Sequence, residues 1–355
     1  MKKIMIAAAG TGGHIFPGLA VAQVFLNQGD EVVWVGTEQG LENKLVPAQG
    51  IKLLKISMQG LRGKGLLRVL MAPYLLMQGI VAARKLIQQE QPDLVLGMGG
   101  YVSAPVGIAA KLCGVPLVIH EQNAITGMAN KLLSKIANRV CESFPKTFPA
   151  AQNAVYTGNP VRTSIAAVKT KHLAKPFDPT QPLRLLVLGG SLGARAINEV
   201  IPGLLNLYSS AEKLEIWHQT GAKDFEAVKT QYAKENKHPF KLVEFIDDVD
   251  SAYSWADLII CRAGATTVAE LATVGLPAIL IPLPTAVDDH QTANARNLVK
   301  QGSAVILPQN ELSSARLSQE IREFCANFDN LTRHASQANK EAAFNVVQVC
   351  RRIMK

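Results

Sequence analysis

One unit of sequence grammar, used twice, most constrains what this chain can fold into. The apolar run Ile4 to Ala9 leads into Gly10-Thr11-Gly12-Gly13-His14 and then a helical stretch from about Phe16 to Asn27. The run Leu183 to Leu188 leads into Gly189-Gly190-Ser191-Leu192-Gly193-Ala194 and a helical stretch from about Ala194 to Leu207. A second echo follows the same spacing. Asp93-Leu94-Val95-Leu96 enters a Gly-rich turn and a small-residue helix before Gly114-Val115-Pro116 opens a strand, and Asp257-Leu258-Ile259-Ile260 does likewise before Gly275-Leu276-Pro277. Apolar runs alternating with helical segments predict parallel sheets with crossover helices, hence an α/β class with two doubly wound, Rossmann-like domains. With 355 residues the chain has the length for two such cores. The Lys- and Pro-rich segment 169–182 is the expected linker, and the carboxyl ends of the strands are where ligands bind in this architecture.

Bulk properties narrow the class. A hydrophobic share of 48% with 18% charged residues is globular. Cys113, Cys141, Cys261, Cys325 and Cys350 are widely spaced, with no Cys-x-x-Cys pair, which argues against a zinc site or a disulfide framework and fits a reducing cytosol. The uncharged stretches Val69 to Ala83 and Leu94 to Ala110 fall short of the ~20 residues a spanning helix needs. The N-terminus resembles a signal peptide, but its apolar run is short and cleavage would cut the Gly-rich turn, so it reads as a buried first strand. The net charge of +9 suits an anionic partner. Nucleic acid is not the expected one, because aromatics make up only 6% and no binding motif is present.

The turns carry the chemistry. Gly10 to His14 fails the dinucleotide fingerprint, since Ile15 stands where its third glycine belongs, although Glu38 could imitate a ribose-binding acid. Gly189 to Gly193 offers backbone N–H groups and the Ser191 hydroxyl to a diphosphate, or is a plain structural turn. In Arg262-Ala263-Gly264-Ala265-Thr266-Thr267-Val268-Ala269-Glu270, Gly264 to Thr267 should start a helix with Glu270 one turn inside. That carboxylate can accept two ribose hydroxyls, or can simply gain from the helix dipole. Asp288-Asp289-His290-Gln291-Thr292-Ala293-Asn294 reads as sugar recognition or as a helix cap. His120-Glu121-Gln122-Asn123 is no zinc-protease motif, because Ala124 replaces the second histidine. Arg162, in Gly158-Asn159-Pro160-Val161-Arg162, could neutralise a phosphate or be an ordinary surface arginine.

Together with Gly99-Gly100-Tyr101-Val102-Ser103 and Phe245-Ile246-Asp247-Asp248, these motifs resemble, in order and over nearly the whole chain, the MurG family of bacterial peptidoglycan N-acetylglucosaminyltransferases. The resemblance implies the GT-B fold: an N-terminal domain over 1–160 on the acceptor and membrane side, a donor domain over 161–337, and a final helix within 338–355 packing back on the first, with the two domains facing across a cleft. It implies an inverting transferase that moves N-acetylglucosamine (GlcNAc) from UDP-GlcNAc to the C4 hydroxyl of N-acetylmuramic acid in undecaprenyl-linked lipid I, at the cytoplasmic face of the plasma membrane. Other cell-wall synthesis proteins would be further partners. Donor contacts would come from Thr11, Gly12, Gly13, Asn123, Arg162, Ser191, the Ile246 backbone, Ala265, Thr266, Thr267, Val268, Ala269, Glu270 and Gln291. Tyr101, His290 and Asn294 would touch sugar or acceptor.

His14 is the first candidate for the general base, with a loop-ordering role as its competitor. No Asp-x-Asp diphosphate motif stands at a strand end, Asp248 and Asp250 belonging to the Phe-Ile-Asp-Asp segment, so neither a cofactor nor a required metal is expected. Between Leu61 and Gln89 the basic residues Arg62, Lys64, Arg68, Arg84 and Lys85 flank Leu66, Leu67, Leu70, Met71 and Leu75 with no acid among them. That pattern suits an anionic bilayer surface, or a buried amphipathic helix with a basic rim. Rival functions are a transferase for another lipid acceptor, a UDP-GlcNAc 2-epimerase and a non-catalytic nucleotide-sugar sensor.

Overall fold

A computed structural model describes residues 1–58, 65–168, 178, 180–190, 193–209, 213–233, 238–327 and 340–354, giving the backbone alone for 65–70 and 287. The chain divides into two compact units, Met1–Arg162 with Asn339–Lys355, and Thr163–Ala338. Most of the expected linker lies outside the described residues.

In the first unit seven parallel strands pair in the order β3-β2-β1-β4-β5-β6-β7. They are β1 (Lys3–Ala8), β2 (Glu31–Thr37), β3 (Lys52–Ile56), β4 (Leu94–Gly99), β5 (Leu117–Glu121), β6 (Arg139–Glu142) and β7 (Val155–Tyr156). Strands this apolar are covered on both faces. Ile4 and Ile6 share one core with Ile15, Val21 and Phe25 of α1 (Gly12–Asn27) and with Val346, Val347 and Cys350 of the C-terminal helix (Ala342–Arg351). The last helix therefore belongs to the first unit, held also by an ion pair between Arg351 and the buried Asp30. Met5 and Ala7 share the opposite core with Ala83 and Ile87 of α2 (Gly65–Glu90), Val106 of α3 (Ser103–Leu112) and Leu133 of α4 (Met128–Leu133). Strand order reverses between β1 and β4, so the turns after them, at Gly10 and Gly99, lie side by side at the topological switch point.

The second unit repeats the plan with six parallel strands in the order β10-β9-β8-β11-β12-β13. These are β8 (Leu183–Leu188), β9 (Leu214–Gln219), β10 (Phe240–Val243), β11 (Leu258–Cys261), β12 (Ala278–Leu280) and β13 (Ala304–Ile306). Here the switch falls between β8 and β11, pairing the Gly189 turn with the Arg262 turn. The helix after β8, α5 (Arg195–Leu205), packs Ile197, Ile201 and Leu204 against Leu185 and Val187. The helix after β11, α6 (Ala265–Val274), opens with Gly264 as its cap residue.

Candidate functional site

In the first unit the turn and the helix overlap. Helix α1 begins at Gly12 rather than near Phe16, which puts His14 in its first turn, its N–H donating to the Thr11 carbonyl at 3.1 Å. Thr11 stands exposed at the cap position without a side-chain cap bond. The half-buried imidazole of His14 rests on Gly99, whose φ is +105°; a Cβ there would lie 2.4 Å from His14 Nδ1, so only glycine fits. His14 Nδ1 lies 3.1 Å from Gln122 Oε1. Gln122 Nε2 is 2.8 Å from the Met98 carbonyl and 3.1 Å from His120 Nδ1, and His120 Nε2 is 3.0 Å from the Gly158 carbonyl. Burial pushes His120 down to about 4, so it is neutral.

Two carboxylates shape the surrounding loops. Glu42, fully buried, accepts from the Gly10 N–H at 3.3 Å, the Thr37 N–H at 3.1 Å and the Thr37 hydroxyl at 2.8 Å. The acid after β2 that reaches the turn is thus Glu42, while Glu38 is exposed. Tyr101 joins this group, its hydroxyl 3.3 Å from Thr37 Oγ1. Buried Glu121 accepts from the Asn123 N–H at 3.0 Å, Asn123 Nδ2 at 3.2 Å, the Gly127 N–H at 3.0 Å and Asn130 Nδ2 at 2.9 Å. In the His-Glu-Gln-Asn motif, then, the acid folds the loop and the half-buried Asn123 is displayed by it. Arg162 places its guanidinium 4.8 Å over the Phe16 ring, next to the start of α1.

In the second unit Ser191 lies outside the described residues, but the frame around it is clear. Gly193 has φ +79°, and a Cβ there would meet the Thr220 carbonyl at 2.6 Å. Asn198 on α5 donates to that carbonyl at 2.9 Å and to Asp224 at 2.8 Å, while its Oδ1 meets His218 Nε2 at 3.1 Å. His218 in turn meets the Tyr232 hydroxyl at 3.0 Å, and burial pushes this histidine down to about 3 and the Tyr232 phenol up. Gln219 donates to the Gly190 carbonyl at 3.0 Å and accepts from the Ile246 N–H at 3.1 Å. Of the Ile246 backbone expected to contact the donor, the N–H is held by Gln219, which leaves the carbonyl.

Along α6 the expected donor contacts sort by hydrogen bonding. Ala265, Thr266 and Thr267 occupy the first turn, but the Val268 N–H already donates to Gly264 at 2.9 Å and the side chains of Val268 and Ala269 are buried. The side chains of those two support the helix. Glu270, 6% exposed, receives the Tyr253 hydroxyl at 2.9 Å. Gln291 commits its oxygen to the N–H groups of Ala263 and Leu283 at 3.3 and 3.0 Å, leaving its amide nitrogen to donate to a ligand. Asn294 is fully buried and donates to the Ala263 carbonyl at 3.2 Å, so it braces the turn instead of facing sugar. His290 is half-buried at the head of α7 (His290–Lys300), after Asp288 and Asp289, both at φ 52°. Asp248 caps the helix Val249–Trp255 through the Ser251 N–H at 3.0 Å. Among the described residues no three His, Cys, Asp or Glu side chains gather as a metal set.

The basic, apolar segment forms α2. Leu66, Leu67 and Leu70 have side chains outside the described residues. Met71 is exposed, whereas Leu75 is half-buried, turned toward the sheet by the helical period. Met77, in the same apolar run, is 60% exposed, and Arg84 and Lys85 continue the stripe; the sequence reading missed Tyr74 and Val81, 59 and 51% exposed. On the neighbouring α3 and α4, Leu112, Met128 and Leu132 are exposed beside Lys111, Lys131 and Lys135. Among the described residues no helix is long and apolar enough to cross a membrane.

Residues 4–142 match the glycosyltransferase family 28 N-terminal domain and residues 184–349 match the family 28 C-terminal domain. A protein of Shewanella amazonensis named UDP-N-acetylglucosamine--N-acetylmuramyl-(pentapeptide) pyrophosphoryl-undecaprenol N-acetylglucosamine transferase is 45% identical over 360 residues, covering 100% of this chain and 98% of that one. The crystal structure of MurG from Acinetobacter baumannii superposes with a TM-score of 0.81 at 42% identity, covering 99% of this chain and 100% of that one. The chain belongs to the MurG family. Its two doubly wound units are those of the GT-B class. A Listeria monocytogenes protein provisionally named UDP-N-acetylglucosamine 2-epimerase also superposes, with a TM-score of 0.69, covering 98% of this chain and 95% of that one. At 16% identity that likeness shows the fold alone.

Proposed function

We infer that this chain transfers GlcNAc from UDP-GlcNAc to the N-acetylmuramyl sugar of an undecaprenyl-pyrophosphoryl pentapeptide acceptor, inverting the anomeric centre to a β-1,4 bond. The observation that carries this reading is identity of 45% with a transferase of that name along the whole chain. The site chemistry agrees with it. The acceptor's C4 hydroxyl attacks the anomeric carbon opposite the departing UDP, and the His14 imidazole takes its proton. Negative charge growing on the β-phosphate is met by the helix starts at Ala265 and Arg195 and by Arg162. Glu270 accepts the ribose hydroxyls while Tyr253 steadies its other side, and Gln291 and Asn123 orient the GlcNAc.

Incubation with labelled UDP-GlcNAc, with and without the undecaprenyl acceptor, tests the reading. UDP release that depends on the acceptor is expected; an isomerised sugar nucleotide, or release indifferent to that acceptor, would overturn it. Turnover in excess chelator should persist, and activity abolished by chelator but restored by magnesium would end the metal-free account.

The same protein works on a lipid-borne substrate, and the exposed stripe on α2 is its contact with an anionic bilayer at the cytoplasmic face. Alternating apolar and basic side chains on adjacent helices, none of the described ones long and apolar enough to span, are what such a surface requires. Paired Met71→Ser and Val81→Ser changes should weaken sedimentation with phosphatidylglycerol vesicles while leaving UDP affinity intact; undiminished sedimentation removes the assignment.

A further inference from the structure

We propose that Gln122 and His120 form a buried relay that fixes the tautomer of His14, holding its proton on Nδ1 and leaving the Nε2 lone pair to receive the proton of the acceptor hydroxyl. The proposal rests on His14 acting as the base in the transfer described above.

The assignment starts from two atoms that can only accept, the carbonyl oxygens of Gly158 and Met98. At 3.0 Å from the first, His120 Nε2 must carry a hydrogen. Full burial keeps this imidazole neutral, and a neutral ring has a single N–H, so His120 Nδ1 is a bare acceptor. Gln122 lies 1% exposed with one amide atom 2.8 Å from the Met98 carbonyl and 3.1 Å from that bare nitrogen. Only the NH₂ group satisfies both; the flipped amide would set its oxygen against two lone pairs. The Gln122 oxygen therefore faces His14 Nδ1 at 3.1 Å, and His14 must donate from that nitrogen. Its remaining nitrogen, Nε2, is left with the lone pair.

Each member is held by a different piece of the first unit. His120 lies in β5, Met98 in β4, Gly158 follows β7, and His14 sits in the first turn of α1 against Gly99. The order of the relay is therefore built into the sheet. A neutral amide stabilises the imidazolium less than a carboxylate would, which suits a base that must shed its proton after each turnover. Gln122 and His120 act through His14 and are positioning residues.

Nitrogen-15 NMR of histidine-labelled full-length protein reads the relay directly, because protonated and bare ring nitrogens resonate far apart. In the neutral wild-type protein His14 should show a protonated Nδ1 and a bare Nε2. Gln122→Met keeps side-chain volume but removes the amide. It should release His14 toward the Nε2–H form and lower kcat about 100-fold with the donor KM changed by less than about twofold. Gln122→Glu, with its inner oxygen protonated toward the Met98 carbonyl, restores an acceptor for His14 Nδ1 and should recover the Nδ1–H signature and part of the turnover.

A wild-type spectrum with His14 protonated at Nε2 would overturn the relay, and that spectrum depends on no variant folding. So would a Gln122→Met protein that keeps both the signature and the rate. If the wild type shows the Nδ1–H form yet transfers no GlcNAc, the functional reading falls while the relay stands.

Discussion

Gln122 in the first unit and Gln219 in the second are the same device put to two uses. Both stand at the carboxyl end of a strand and are 1% and 4% exposed. Each gives its amide hydrogens to a carbonyl at the neighbouring strand end, Met98 for Gln122 and Gly190 for Gln219. They differ in what the oxygen meets. Gln122 meets a titratable ring, His14 Nδ1, whereas Gln219 meets a backbone amide, Ile246 N–H. One glutamine sets where a proton sits and the other sets the course of a backbone. The histidines follow suit: His14 is half-buried at a turn, while His218 is enclosed between Asn198 and Tyr232. Under the function proposed above, a repeated fold divides the labour, with acid–base chemistry in one unit and most of the nucleotide cradle in the other.

The strongest way to break that division is His14→Ala. Loss of a positioned general base should cost about 10²- to 10⁴-fold in kcat. UDP affinity, which the proposed function assigns to the second unit and to Arg162, should stay within error by calorimetry. A collapse of UDP binding would mean that His14 serves the donor site and would remove it as the base.

Acid should act on both units through their enclosed histidines. Burial lowers His120 to about 4 and His218 to about 3 from an ordinary 6.5. The unfolded chain binds these protons first, so their stabilisation is complete above pH 6.5 and is lost as pH falls from there toward the folded values. Each histidine should tilt stability by about 1.4 kcal/mol per pH unit, or roughly 2 kcal/mol by pH 5. Urea unfolding across pH 7 to 5 measures it. His218→Gln should remove one proton's worth of slope and leave the His14 resonances alone, and an unchanged slope would show that His218 is protonated in the folded protein.

Glu270→Ala comes next. A charged hydrogen-bond acceptor lost from the ribose site should cost about 1.5–3 kcal/mol, roughly 10- to 100-fold in the donor KM, with the acceptor KM unchanged. Equal effects on both constants would remove Glu270 from the nucleotide. Tyr253→Phe, which deletes the 2.9 Å bond to Glu270, should reproduce a fraction of the loss.

The architecture was legible because it is written locally. Runs such as Leu183 to Leu188 are apolar on both faces, and Gly264 before small residues marks the start of α6. The working parts are not local. The Gly10 bond to Glu42 spans 32 residues, the Ile246 bond to Gln219 spans 27, and the His14 bond to Gln122 spans 108. No periodicity encodes such pairs, so the sequence reading did not single out Glu42 and assigned no role to Gln122. For Val268 and Ala269 the motif alone did not say which way the side chains point; the helical period turns them inward. Tyr74 and Val81 escaped notice because exposure depends on which face of α2 the sheet covers.

Gln219→Met is the finest test of the comparison, being the counterpart of Gln122→Met. It removes the bond to the Gly190 carbonyl and the bond from the Ile246 N–H, each worth about 0.5–1.5 kcal/mol. Neither group touches a transferring proton. The turn after β8 and the segment after β10 should loosen, and UDP affinity should fall about 3- to 10-fold while kcat at saturating donor stays near wild type. The two glutamine variants would then split the kinetic constants between them, one lowering kcat and the other raising the donor KM. Should Gln219→Met instead lower kcat with UDP affinity intact, this glutamine too would act on the reacting atoms, and the two units would share the chemistry rather than divide it.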